Sequence, residues 1–198
     1  TTDMAVFSKG AIKHTSVLGL GGDNLTYDIA VGVRTPRLEA EKIKIKYGCA
    51  LSSLIGREET IEVPSVGGRK ARVLSRQILG EILEPRVEEI FSLVYGELVR
   101  CGYEDMITSG AVITGGSAEL PGVVEITEQI FNVPARIGYP QKITGLVEVV
   151  NKPMYATAVG LVLYGAKRGK KTQKFRIRDG NIFNRVIDRM KRWFKDVV

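Results

Sequence analysis

Gly115, Gly116 and Ser117 stand between a short apolar run and a helical pattern. Two glycines let a backbone approach a flat or charged group closely, and a helix that follows offers unpaired N–H groups. A tight strand-to-helix turn without a ligand gives the same pattern. Glu41 and Lys44 lie three residues apart on one face of a helix that starts at Pro36. Such a pair can hydrogen-bond ribose hydroxyls, and an i,i+3 surface ion pair has the same spacing. Arg69, Lys70, Arg72, Arg76 and Arg86 are the basic concentration of the first 166 residues. They form either a solvated face or a docking site where Arg forks meet the carboxylates of an acidic peptide. Thr1, Thr2 and Asp3 precede a strand and carry no reading alone. One histidine, His14, with Cys49 and Cys101 far apart, makes neither a triad nor a metal-ligand set. The chemistry therefore narrows to nucleotide handling.

The elements that position these residues follow from periodicity. Alternation marks strands at residues 4–7 and 11–20 around the turn Ser8-Lys9-Gly10. Asp23 is placed to cap a helix through Leu25, Ile29 and Val33. The helix from Pro36 has Glu39, Glu41, Lys42 and Lys44 on its expected solvated side. Short strands at 60–63 and 71–74 join through Gly67-Gly68. A long amphipathic stretch runs from Ser75 to Arg100, and Pro85 should kink or divide it. Residues 110–131 read as a buried strand, a glycine turn and a helix, and a closing helix follows Met154. This alternation argues for α/β architecture.

Charge divides the chain. Its formal net charge is +7, with 44% hydrophobic and 26% charged residues. Residues 1–166 hold 17 basic and 19 acidic side chains, whereas from Lys167 on there are 12 basic and 3 acidic. The globular part is thus no basic nucleic-acid surface, and no partner nucleic acid is expected. Residues 167–181 read as a basic, flexible linker. In residues 182–198, Phe183, Val186, Ile187, Met190, Trp193 and Phe194 belong to one apolar stripe opposite a basic face. That pattern suits a helix lying in a membrane interface, at roughly micromolar affinity. A helix seated in a partner's groove or on its own domain has the same pattern. No run of eighteen apolar residues is present.

The motifs TTDMAVFSKGAIKHT, DIA, AEKIKIKYGCA, EVPSVGGR, LSRQILGEILEPR, VITGGSAELPGV, ARIGYPQKITGL and YATAVGLVLYG occur in order. Together they closely resemble FtsA, a family of actin-like bacterial division proteins, over essentially all of residues 1–166. The resemblance implies the second half of an actin-like ATPase fold. Residues 1–36 and 106–166 would form a ribonuclease-H-like inner subdomain, with 37–105 inserted as an outer one. The linker and a membrane-targeting helix at 182–198 would follow. It further implies that Thr1 and Thr2 lie near the phosphates, Gly115, Gly116 and Ser117 at the adenosine, and Glu41 with Lys44 at the ribose. Arg72, Arg76 and Arg86 match the region of FtsZ contact and self-interaction. ATP and Mg are the implied cofactors of the intact protein, with at most weak ATPase activity. The aspartate and glycines of the family's phosphate loop and its whole first half are missing here, so the chain is expected to be a fragment that does not bind ATP tightly. The implied partners are the FtsZ tail, further copies in head-to-tail filaments, later division proteins and the membrane. The implied place is the cytoplasmic face of the inner membrane at the division site. The competing expectation is an ATP-hydrolysing, MreB-like assembly protein.

Overall fold

The structure, a computed structural model, describes residues 1–143 and 147–169. The chain opens with an antiparallel ribbon, β1 (Thr2–Ser8) and β2 (Ala11–Leu18). Lys9 (φ 52°) and Gly10 (φ 76°) are both left-handed. That backbone twist matches the twist of the strands and makes a two-residue hairpin. The register slips after the Val6–His14 pair, so Lys13 bulges out of the ladder.

Helix α1 (Gly22–Gly32) starts two residues earlier than Asp23 would allow as its cap. Gly21 is the N-cap, and its N–H donates to Asn24 Oδ1 at 2.9 Å, while Asn24 N–H donates to Gly21 O at 3.0 Å. Asp23 instead sits in the first turn, where the helix dipole favours a carboxylate. Helix α2 (Arg37–Tyr47) follows Pro36 as expected, but it is rotated from the expected orientation. Its inner face holds Ala40, Ile43 and Lys44, while Leu38 (80%) and Ile45 (75%) face out.

β3 (Thr60–Val63) and β4 (Arg72–Ser75) form a second antiparallel pair. Helix α3 (Arg76–Arg100) begins with Ser75 Oγ accepting from Gln77 N–H at 3.2 Å. It runs on through Pro85 as one helix, so of the two expected outcomes, a kink or a division, the division does not occur. The residues flanking Pro85 explain this. Glu84 Oε2 accepts from Ser52 N–H at 2.8 Å, and Arg86 clasps Asp28 of α1, so tertiary bonds offset the lost helix hydrogen bond. At its far end, Glu97 meets His14 of β2 at 3.2 Å.

A third, parallel pair joins β5 (Ala111–Ile113) to β6 (Ala135–Ile137), with α4 (Val123–Phe131) between them. β5 was expected to be buried, yet Val112 is 56% exposed, because only one partner strand flanks it among the described residues. The short α5 (Val147–Val150) leads to α6 (Ala156–Gly169). α6 extends to Gly169, so it takes in the first three residues of the expected linker.

Residues 1–159 form one compact unit, and the described residues from Gly160 on belong to another. The core of the first unit contains Leu25, Ile29, Ile43, Leu79, Leu83 and Ile126, each at or below 4% exposure. Burying such a side chain stabilises by about 1.5–3 kcal/mol. One core therefore joins α1 and α4, expected in the inner subdomain, to α2 and α3, expected in the inserted one.

Candidate functional site

The site begins with an amine in the wrong place for a surface residue. Lys44 lies on the inner stripe of α2, one turn after Ala40, and only 8% of it is exposed. Its Nζ donates to Gly22 O (2.8 Å), Thr26 Oγ1 (2.7 Å) and Glu41 Oε2 (2.8 Å). All three ammonium protons are thereby used, which a buried charge requires. Thr26 Oγ1 also bonds Glu41 Oε2 and lies 3.1 Å from Gly22 O. Burial pushes the Glu41 carboxyl up, but the bonds from Lys44 and Thr26 outweigh it and hold it below the ordinary carboxylate value. Neither a solvated ion pair nor a solvated helix face describes this arrangement.

Two further segments converge on the same place. A methyl group added at Gly22 would lie 2.5 Å from Ser117 Oγ and 3.6 Å from Lys44 Nζ. One added at Gly21 would lie 2.7 Å from Thr1 O, so only glycine lets the chain start pass this close. Ser117 and Thr1 are thus both brought to the first turn of α1. The hydroxyls of the first two threonines differ in availability. Thr2 Oγ1 donates to Leu20 O at 2.9 Å, while Thr1 Oγ1 bonds Asp3 Oδ2 at 3.3 Å on the exposed rim.

An open cleft of about 480 Å³ lies against these groups, lined by Gly22, Asp23, Thr26, Arg37, Leu38, Glu41 and Lys44. Arg37 pairs with Asp23 at its mouth; the hydrogen bond from Arg37 is the main reason the Asp23 carboxyl lies below its ordinary value. The volume falls within the roughly 300–1,000 Å³ of small-molecule sites. Two carboxylates, Asp23 and Glu41, balance Arg37 and Lys44 along the cleft walls.

The glycine loop differs from expectation in one respect. Gly115 (φ 99°) and Gly116 lead into a 3₁₀ turn, Gly116–Glu119, and α4 begins only at Val123. The helix therefore offers its N–H groups after Gly122 and not directly behind Gly115 and Gly116. Gly115 N–H itself donates to Pro153 O at 3.1 Å.

Thr26, Gly22, Asp23, Arg37 and Leu38 were not foreseen in the sequence. Thr26 had a signal, a hydroxyl on the stripe between Leu25 and Ile29, which stays buried only if hydrogen-bonded.

The three arginines meet different partners on different elements. Arg72 donates to Val33 O. Arg76 donates to Tyr47 O (2.8 Å) and Glu59 Oε2 (2.6 Å). Arg86 forks onto Asp28 at 2.5 and 3.2 Å and also pairs with Glu89. Phe183, Val186, Ile187, Met190, Trp193 and Phe194, with the rest of the expected membrane helix, lie outside the described residues. Among the described residues no helix is long and apolar enough to cross a membrane, and no three His, Cys, Asp or Glu residues form a metal-ligand group.

Comparison with known proteins bears on both fold and family. A family model described as cell division protein FtsA matches residues 1–160. The FtsA of Pseudomonas aeruginosa is 48% identical over 199 residues, covering 98% of this chain and 48% of that protein. That of Escherichia coli K12 is 43% identical over 172 residues, covering 83% and 41%. That of Neisseria meningitidis is 40% identical over 203 residues, covering 99% and 48%. The chain spans about half the length of the curated relatives it matches. Among solved structures, MreB 5 of Spiroplasma citri bound to AMPPNP superposes with a TM-score of 0.64 at 19% identity, covering 85% of this chain and 50% of that one. The ADP-bound form gives 0.63 at 17% identity. The fold is accordingly actin-like, and the far higher identities lie with the division proteins.

Proposed function

The chain belongs to the FtsA family of cell division proteins, and from that premise we propose that it is the nucleotide-contacting, FtsZ-linking half of a membrane adaptor. The observation that carries the reading is the convergence of Thr1, Gly22, Glu41, Lys44 and Ser117 on the first turn of α1. In this reading Glu41 and Lys44 meet the ribose of ATP, and Gly115, Gly116 and Ser117 line the adenosine. Thr1 stands toward the phosphates, with Thr2 behind it. Magnesium would accompany the nucleotide, bound chiefly by its phosphates.

The cleft is open, with Leu38 80% exposed, so nucleotide is held weakly by this chain alone. Calorimetry at micromolar protein should show no tight ATP binding. Ligand-observed NMR at millimolar ATP should show contact, and Lys44→Ala should abolish it. Tight calorimetric binding, or ATP contact that survives Lys44→Ala, would overturn this part of the reading.

The adaptor's two ends are the region around Arg72, Arg76 and Arg86, for the acidic FtsZ tail, and residues 182–198, for the inner membrane at the division site. Further copies associate head to tail, and later division proteins are recruited. Arg72 is the arginine to test, because Arg76 and Arg86 hold carboxylates of their own chain. In co-sedimentation with anionic vesicles, the full chain should pellet together with a labelled FtsZ-tail peptide. A chain ending at Lys167 should leave both in the supernatant, while Arg72→Glu should pellet without the peptide. Equal pelleting of the long and short chains would remove the membrane role, and peptide retention by Arg72→Glu would move its site elsewhere.

A further inference from the structure

We infer that Thr26 is a positioning residue, whose hydroxyl ties down one oxygen of Glu41 and so presents the other to the cleft. Its part in recognition depends on the nucleotide site proposed above; its hold on Glu41 does not. Thr26 is 1% exposed and sits on α1, whereas Glu41 and Lys44 belong to α2. Its Oγ1 accepts from Lys44 Nζ at 2.7 Å and donates to Glu41 Oε2. Oε2 is also the oxygen that Lys44 takes, at 2.8 Å. Among the described residues nothing bonds Oε1, and the Glu41 side chain is 43% exposed where it lines the cleft. One oxygen is internal and fixed, and the other is free to accept from a ligand hydroxyl.

Lys44 alone cannot impose this division of labour, because a single ammonium contact leaves the carboxylate free to rotate about its last torsion. Two donors on the same oxygen, from different helices, fix both rotation and distance. The fixed oxygen also couples α1 to α2 at the cleft. The predicted ligand is therefore a ribonucleoside with its vicinal hydroxyls intact, and a 2′-deoxy analogue should bind worse. That preference is on the order of tenfold, the worth of one hydrogen bond to a charged acceptor.

The test uses the whole chain with Thr26→Val, nearly the same shape without the hydroxyl, and Thr26→Ser, which restores it. The first readout needs no ligand: carbon NMR follows the Glu41 carboxyl as pH falls. Lys44 and Arg37 favour its charged form and Asp23 opposes it, and none of the three is substituted in any variant. Thr26→Val should raise the titration of Glu41, and Thr26→Ser should return it to the wild-type position. The second readout is competition between ATP and 2′-deoxyATP, followed by ligand-observed NMR. The wild-type and Thr26→Ser chains should prefer ATP, and Thr26→Val should lose the preference. An unmoved Glu41 titration in Thr26→Val overturns the positioning role. A wild-type chain that binds neither nucleotide, or both equally, overturns the cleft reading, while the titration still decides Thr26. Amide spectra of each variant identify one that has not folded, and Thr26→Ser then decides alone: failure to keep the wild-type titration overturns the role.

Discussion

Leu83→Ala is expected to lower the unfolding free energy by about 2–5 kcal/mol, a large share of the roughly 5–15 kcal/mol available to a domain. Leu83 is wholly buried on α3, in the core that this helix shares with α1 and α4. Removing its isobutyl group loses both the transfer energy and the contacts of every atom that faced it. Collapse into the void is hindered, because α3 is bonded to its neighbours directly after the site, at Glu84–Ser52 and Arg86–Asp28. Urea unfolding of the wild type and variant measures the loss. A shift in midpoint with an unchanged slope is the expected form. A difference below about 1 kcal/mol would mean that the core is loose enough to refill.

Gly122→Ala should be comparably damaging for a different reason. Gly122 caps α4 at φ 87°, and an added methyl group would lie 2.6 Å from Leu51 Cβ and 2.8 Å from Leu51 N. A left-handed conformation costs a non-glycine residue roughly 1–2 kcal/mol before any clash. The clash is with main chain that is itself held, since Ala50 N–H donates to Pro121 O at 2.7 Å. Overpacking adds about 1–3 kcal/mol. Gly96→Ala is the internal comparison, because Gly96 lies within α3 and nothing stands within 4 Å of the added carbon. That variant should gain about 0.5–1 kcal/mol from helix propensity. Thermal unfolding of the two should therefore move in opposite directions. If Gly122→Ala melted with the wild type, the contact between residues 50–51 and 121–122 would not constrain the fold.

The local signals in the sequence carried far. Ser8-Lys9-Gly10 and the short apolar patterns at 60–63 and 71–74 each acted through their nearest neighbours, and each strand formed within two residues of its expected bounds. The misreadings of Lys44 and Pro85 share a cause, since each depended on partners distant in sequence, whereas the cap of α1 differed for a local reason, the bonds between Gly21 and Asn24. Lys44 looked solvated because its acceptors Gly22 and Thr26 lie on another helix. The apolar positions of α2 nevertheless place it inward once Ala40 and Ile43 are taken as the buried edge. Pro85 should have broken a helix judged in isolation, but Asp28 and Ser52 bond the residues beside it. The partners of Arg76 and Arg86, Glu59 and Asp28, are likewise far away in sequence. Of the candidate site, the spacing of Glu41 and Lys44 was legible, while the threonine that joins them was visible only as a polar residue on an apolar stripe.

The uneven placement of the core has a further consequence. Of the β1–β2 ribbon, only Val6 enters the buried interior, while Phe7, Ile12 and Val17 point to solvent. β5 and β6 pair over just three residues each. The amides of these ladders can exchange with solvent through small local openings that leave the helices intact. Those in α3 between Leu79 and Ile90, buried against α1 and α4, are released only when the whole unit unfolds. Amide exchange of the molecule is thus expected to be slow in the helical centre and fast in the ladders. The first turn of α1, where the ribbon's end meets Gly21, is the boundary between the two regimes.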